Sequence, residues 1–206
     1  MNSARSFPVW VWWAIGIVAI VAVAAGVAYF VSNHKPTLPP GLVELREAVA
    51  KIIEESSKLE DIDVTPLAGL EAKKDYTAAV NLMEKALQAN ASAEAFTASL
   101  VTVSQNLAAL SVEIKSEAIA TKAIDAFGIL AKLANAEAEF YADRRKLYEI
   151  TRDYYADLAV KKNAPIPEGL EALAGEVSAD LEKVRGLHQE FASALAIFDE
   201  AVAGAK

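Results

Sequence analysis

Apolar residues recur at helical spacing along almost the whole of this chain. The exception comes first: from Phe7 to Val31, 25 residues pass without a charge, and a helix needs only about 20 apolar residues to cross the hydrocarbon core of a bilayer. Beyond this run, Leu42, Leu45, Val49, Ile52 and Ile53 fall at three- and four-residue steps and predict an amphipathic helix to about Leu59. Glu60-Asp61-Ile62-Asp63-Val64 interrupts it. Thr65 followed by Pro66 predicts a new helix start, a capping hydroxyl ahead of a residue whose missing N–H costs nothing in the first turn. That second helix is expected to reach about Ala89, with Leu67, Leu70, Val80, Met83 and Leu87 inward.

Asn90-Ala91-Ser92 supplies turn and cap residues. From Phe96 the series Leu100, Val103, Leu107, Leu110 and Ile114 then alternates by four and three, the spacing of a packed seam. Around Lys115-Ser116-Glu117 the phase slips, and it resumes through Ile119, Ile124, Phe127, Leu130, Leu133, Phe140, Leu147, Ile150, Tyr154 and Leu158. A slip of this kind is a stutter in one helix or a loop between two. No proline lies between Pro66 and Pro165, and Gly128 is the only glycine between Gly69 and Pro165. The spacing therefore predicts one long, bent helix from about Ala93 to Lys161, two helices with a turn near 115–117 being the alternative. Asn163 to Pro167 is the next turn, and Glu168 to Ala203 the last helix, with Leu170, Leu173, Val177, Leu181, Val184, Leu187, Phe191, Leu195 and Phe198 as its apolar face. Sustained period-two runs and Asn-Gly or Asp-Gly turns are missing. The expected fold is all-α: a single N-terminal transmembrane helix followed by an elongated antiparallel helical bundle. Its parts are a short tail (1–6), the transmembrane helix (7–31), a Pro-rich linker (32–41) and the bundle domain (42–206).

The flanks of the uncharged run sharpen the membrane reading. Trp10, Trp12 and Trp13 at one end and Tyr29 and Phe30 at the other place amphipathic rings where headgroups would lie. A cleavable signal peptide is the competing reading, with small residues at Val23-Ala24-Ala25. Its apolar core, however, is only about 7–15 residues long, and it starts with more positive charge than Arg5 alone provides. Arg5 is nearly balanced by Lys35 and Arg46, so charge bias alone leaves the orientation open. Because long segments translocate largely regardless of charge, the amino terminus is expected inside and the large domain outside the cytoplasm, across the plasma (inner) membrane. All 28 acidic residues and 18 of the 20 basic ones lie beyond residue 35, a net charge of −10 there. That sign argues against nucleic acid or an anionic membrane surface as partner, since both are bound through clustered Lys and Arg. With no cysteine, disulfides, thiol nucleophiles, thiolate metal sites and a lipoprotein's lipidated cysteine after the run all drop out.

Candidate chemistry is sparse. Asp61-Ile-Asp63-Val-Thr65 begins like a calcium loop but has Pro66 where the sharp turn needs glycine and Ala72 where the bidentate Glu belongs. A di-iron bundle needs paired Glu-x-x-His spacings, whereas His188 has Arg185 three residues before it and His34 lies beside the apolar run. Nucleotide-binding glycine loops and common hydrolase motifs do not occur. Lys73 to Asn90 resembles a single tetratricopeptide helix, with no second copy to form an array. The layout of one anchor followed by a cysteine-free helical bundle resembles that of the LemA family of bacterial envelope proteins. The resemblance covers layout, implies an envelope setting, and carries no functional residue across.

The least ordinary stretch is FYADRRKLYEITRDYY, Phe140 to Tyr155, which holds four of the six tyrosines together with Arg144, Arg145 and Arg152. Tyr and Arg are enriched at protein interfaces. Phe140, Leu147, Ile150 and Tyr154 share a face and are expected in the core; Arg145, Glu149 and Asp153 belong to a solvated face with i,i+4 contacts. Tyr141, Arg144, Tyr148, Arg152 and Tyr155 project on a second side and form the candidate partner patch. No catalytic, cofactor-binding or metal site is named and no cofactor is implied. The expected partners are the lipid bilayer, through residues 7–31, and a protein or a second copy of the chain. The function expected is non-enzymatic protein–protein interaction or scaffolding beside the membrane of the cell envelope. The alternative is an extracytoplasmic ligand sensor without its own output domain; an enzyme ranks third.

Overall fold

The computed structural model of the chain describes residues 38–56, 58–59, 62–161 and 163–204. Among these residues there are five α-helices, α1 (Pro40–Ser56), α2 (Leu67–Ala72), α3 (Tyr76–Ser111), α4 (Glu117–Lys161) and α5 (Leu170–Gly204), and no strand. The fold is all-helical with bundle packing. No helix among the described residues is long and apolar enough to cross a membrane. The span expected at 7–31, with Trp10, Trp12, Trp13, Tyr29 and Phe30, lies outside them.

Two expected helix boundaries are corrected in the first half. The helix expected from Thr65 to about Ala89 is broken at Lys73-Lys74-Asp75. α2 closes with Lys74 in the left-handed region (φ 58°). The Lys74 N–H donates to Glu71 O (2.9 Å) and the Asp75 N–H to Leu70 O (2.9 Å), the paired bonds that terminate a helix on a left-handed residue. Asp75 then caps α3, its carboxylate accepting from the Ala78 N–H at 3.2 Å. Nor does the Thr65 hydroxyl cap α2: it donates to Asp63 Oδ2 (2.9 Å), while the Thr65 N–H donates to Asp63 Oδ1 (2.9 Å). These two bonds hold the exposed Asp63 carboxyl below its ordinary pKa.

The turn expected at Asn90-Ala91-Ser92 is absent, because both polar side chains are satisfied within a continuous helix, Ser92 by its own helix and Asn90 by Glu94 and by α4. Ser92 Oγ donates back to Gln88 O at 3.3 Å, and Asn90 is fully buried. α3 therefore runs unbroken through this point. The single helix expected over 93–161 is instead two helices: Glu113 N–H to Leu110 O (3.1 Å) and Ile114 N–H to Ser111 O (3.4 Å) close the turn 112–116, and Ala120 N–H to Ser116 O (2.8 Å) opens α4. Ile114, 5% exposed, folds back into the core and keeps the seam's phase through the turn.

Along α3 the buried positions are Ala79, Met83, Ala86, Asn90, Ala93, Thr97, Leu100, Ser104, Leu107 and Ser111, alternating by four and three throughout. Leu100, Leu107 and Ile114 are where the sequence places them. The other half of the seam is corrected: Thr97, Ser104 and Ser111 are buried, and Phe96, Val103 and Leu110 flank them half-exposed. Small side chains at the centre let neighbouring helices approach, with the bulkier ones closing the sides.

The chain divides into two compact units. The first draws its described residues from Met1–Ser57, Val103–Ala131 and His188–Lys206. Its core holds Leu42, Val49, Leu107, Phe127, Leu130, Phe191, Leu195, Phe198 and Val202, with Phe127 and Phe198 edge-to-face at 5.5 Å. Ile124, expected on the apolar face of α4, is 46% exposed. The second unit draws on Lys58–Thr102 and Lys132–Leu187. One of its clusters, around Ala79, Tyr155 and Leu158, is packed by Leu67, Leu70, Tyr76, Val80, Tyr154 and Ala164.

Candidate functional site

The second unit places the Arg- and Tyr-rich stretch of α4 against α3. At its centre Asn90, buried on α3, accepts from Arg144 Nε at 2.6 Å through Oδ1. Its Nδ2 donates both to the Tyr141 carbonyl (2.9 Å) and to Glu94 Oε1 (2.9 Å). Glu94 is shared, accepting from Arg145 Nη1 at 3.0 Å through its other oxygen. The Arg144 guanidinium also lies over three rings, with its carbon 5.1 Å from the centroid of Phe140, 4.9 Å from Tyr141 and 5.6 Å from Tyr148. A planar cation against aromatic faces with a fixed acceptor at one edge is a device for locking two helices in register. Sequence spacing predicted the aromatic stripe of α4 but not its partner, because Asn90 reads locally as a turn residue. The available signal was that Asn90 falls on the same seven-residue column as Met83, Thr97, Ser104 and Ser111.

The candidate patch is therefore divided. Tyr141, Arg144 and Tyr148 meet; Arg152 pairs with its neighbour Asp153 (Nη2–Oδ1 2.7 Å), which with that hydrogen bond holds the guanidinium pKa above its ordinary value. Tyr155 does not project with them. It is 5% exposed and turned toward α2 and α3, stacked on Tyr76 at 6.4 Å and tilted against Tyr154 at 5.4 Å, with its hydroxyl donating to Glu71 Oε2 at 3.3 Å. Burial, reinforced by the Glu71 carboxylate, pushes the Tyr155 hydroxyl up to about 12, and burial raises Tyr154 as well. Phe140 is buried as expected, whereas Leu147, Ile150 and Tyr154 are only half-buried.

The first unit contains a polar group the sequence reading missed. Arg46, placed beside the membrane when charges were counted, is 4% exposed in the core. Its Nη1 lies 2.9 Å from Asp199 Oδ1, its Nη2 donates to Asp199 Oδ2 at 3.3 Å, and its guanidinium carbon is 5.3 Å from the Phe198 ring centroid. The signal was present, since Arg46 is four residues after Leu42 and three before Val49, in phase with the buried face. A cleft lined by Arg46, Val49, Leu107, Phe127, Leu130, Phe191 and Leu195 has a volume of about 10 Å³, room for one water. Among the described residues no cluster of three or more His, Asp or Glu is spaced to hold a metal.

The chain matches no protein-family profile, and neither a curated protein nor a solved structure is significantly similar to it.

Proposed function

We propose that this chain is a single-pass, membrane-anchored helical protein of the cell envelope, acting through protein contacts beside the plasma membrane rather than through chemistry of its own. The observation that carries the reading is the 25-residue uncharged run from Phe7 to Val31, bounded by Trp10, Trp12 and Trp13 and by Tyr29 and Phe30. Arg5 on one side of the run is nearly balanced by Lys35 and Arg46 on the other. Because long segments translocate largely regardless of charge, the proposed orientation puts the helical domain outside the cytoplasm. Asn90, Arg144, Glu94, Tyr155 and Glu71 are engaged in bracing helices, which suits a scaffold. Of the Arg- and Tyr-rich patch, Tyr148 and Arg152 remain as its contact residues.

Protease protection of a carboxy-terminal tag on intact spheroplasts, with the mass of the membrane-bound chain measured in parallel, tests the anchor and its orientation. Full-length mass with a protease-accessible tag is expected. A protected tag would place the acidic domain in the cytoplasm, and a mass lacking the first 25 or so residues would mark a cleaved signal peptide. For docking, the Tyr148→Ala/Arg152→Ala double variant should lose cross-linked partners or self-association in membranes while keeping the helicity of the parent chain; unchanged cross-linking would remove that surface from consideration.

A further inference from the structure

The first unit has one end at which four helix termini converge, the start of α1, the end of α3, the start of α4 and the end of α5, and Leu38, the first described residue, lies there. Gly41 lies in the first turn of α1, and a Cβ added there would stand 3.3 Å from Leu110 Cδ1, in the last turn of α3. Leu38 and Leu42, on either side of Gly41, are 5% and 0% exposed. The start of α1 is thus packed on the end of α3, and the turn 112–116 follows directly. α5 approaches the same end: Phe191 and Leu195 share a cleft with Val49 and Arg46, Asp199 pairs with Arg46, and the helix continues to Gly204. From Val31 to Leu38 is seven residues, a reach of about 25 Å at most when fully extended.

From this we infer that the end of the first unit carrying the 112–116 turn is a bilayer-facing surface, with Val112 seated in the headgroup layer of a zwitterionic lipid membrane. The inference rests on the anchored reading above. Val112 is 72% exposed at the tip of the turn. Single exposed apolar residues are common on protein surfaces; what distinguishes this one is its place beside the start of α1, within the short tether's reach of the lipid. Glu113, Lys115 and Glu117 are all exposed around it, an acidic surplus that selects against anionic lipid. Ile124 on α4 and Ile197 on α5 are also apolar and exposed, at 46% and 49%. Each lies seven helical positions from its terminus at this end, about 10 Å of rise back along its helix.

The chain has no cysteine, so single-site labelling needs no background substitution. Full-length Val112→Cys, Ile124→Cys and Ile197→Cys, each carrying an environment-sensitive fluorophore, would be reconstituted with phosphatidylcholine vesicles and floated on a density gradient. The expected result is co-flotation of all three, with only the label at 112 blue-shifted, quenched by headgroup-nitroxide lipid and shielded from aqueous iodide. Adding phosphatidylserine should weaken the quenching at 112; stronger quenching would overturn the zwitterionic assignment. Co-flotation with the label at 112 as open to iodide as those at 124 and 197 would overturn the bilayer-facing surface while leaving the anchor in place. Failure to float would overturn both.

Discussion

Lys74 shows how one residue can carry a cost that its neighbours require. It holds the left-handed conformation that ends α2 and lets Asp75 cap α3. A side chain there costs about 1–2 kcal/mol, and glycine removes the strain at an entropic penalty of about 0.5–1 kcal/mol. Lys74→Gly should therefore raise stability by about 0.5–1 kcal/mol, read as a shift in the urea midpoint at unchanged slope; a lower midpoint would show that the lysine stem contributes packing. Tyr155 supplies a pH signature. Its hydroxyl ionises near 10 when exposed and at about 12 in the fold. A group whose folded pKa is raised contributes stability that is complete below the unfolded value and is lost as pH climbs through the folded one. Stability should hold up to about pH 9 and fall between pH 10 and 12, by on the order of 2 kcal/mol from this residue. Tyr155→Phe should flatten that decline without abolishing it, since Tyr154 is raised in the same direction. Equal slopes for both proteins in urea titrations across pH 9–12 would exclude the assignment.

At the scale of elements, the balance between α3 and α4 turns on residues whose local preference and tertiary role disagree. Asn90 favours turns in isolation, yet the register of α3 carries it inward, where Tyr141 O, Glu94 and Arg144 satisfy it. The four-three periodicity was legible from Phe96 to Ile114 but not across Asn90, and the phase slip marked the 112–116 turn; neither breaker residues nor spacing told whether the chain stays helical there. At Asn90 partners from another helix decide the point, and a single sequence does not display them; the 112–116 turn is closed by its own backbone bonds. The two places can be distinguished by insertion. Two glycines between Lys115 and Ser116 should be absorbed by the turn, leaving the melting temperature within a few degrees, since lengthening a loop adds little closure entropy. The same insertion between Ala91 and Ser92 would rotate Ala93, Thr97 and Leu100 off the buried face and should abolish cooperative unfolding. Similar tolerance at both sites would contradict a continuous α3. Within the network, a double-mutant cycle on Asn90→Ala and Arg144→Ala should give a coupling energy of about 1–3 kcal/mol; additive effects would mean that Arg144 is held by the aromatic rings alone.

For the molecule as a whole, sequence order and spatial grouping part company. The all-helical class, the last helix and the apolar face of α5 were readable from periodicity, because a helix displays its buried stripe locally. The grouping was not: each unit is assembled from separated segments, and the first takes its core from α1, the end of α3, the start of α4 and the end of α5. Arg46 illustrates the difficulty, since a guanidinium in the apolar phase makes sense only once Asp199, 153 residues later, is beside it. A buried pair of this kind is costly to break from one side, because the remaining charge is left without its partner. Truncation after Leu187 removes Asp199 together with Phe191, Leu195, Phe198 and Val202, which line or fill the first core. Hydrogen exchange of the truncated chain should show protection lost across 42–56, 103–111 and 117–131. Retained protection in those segments would show that the first unit folds without α5, and that the Arg46–Asp199 pair is an ornament of its core rather than a condition for it.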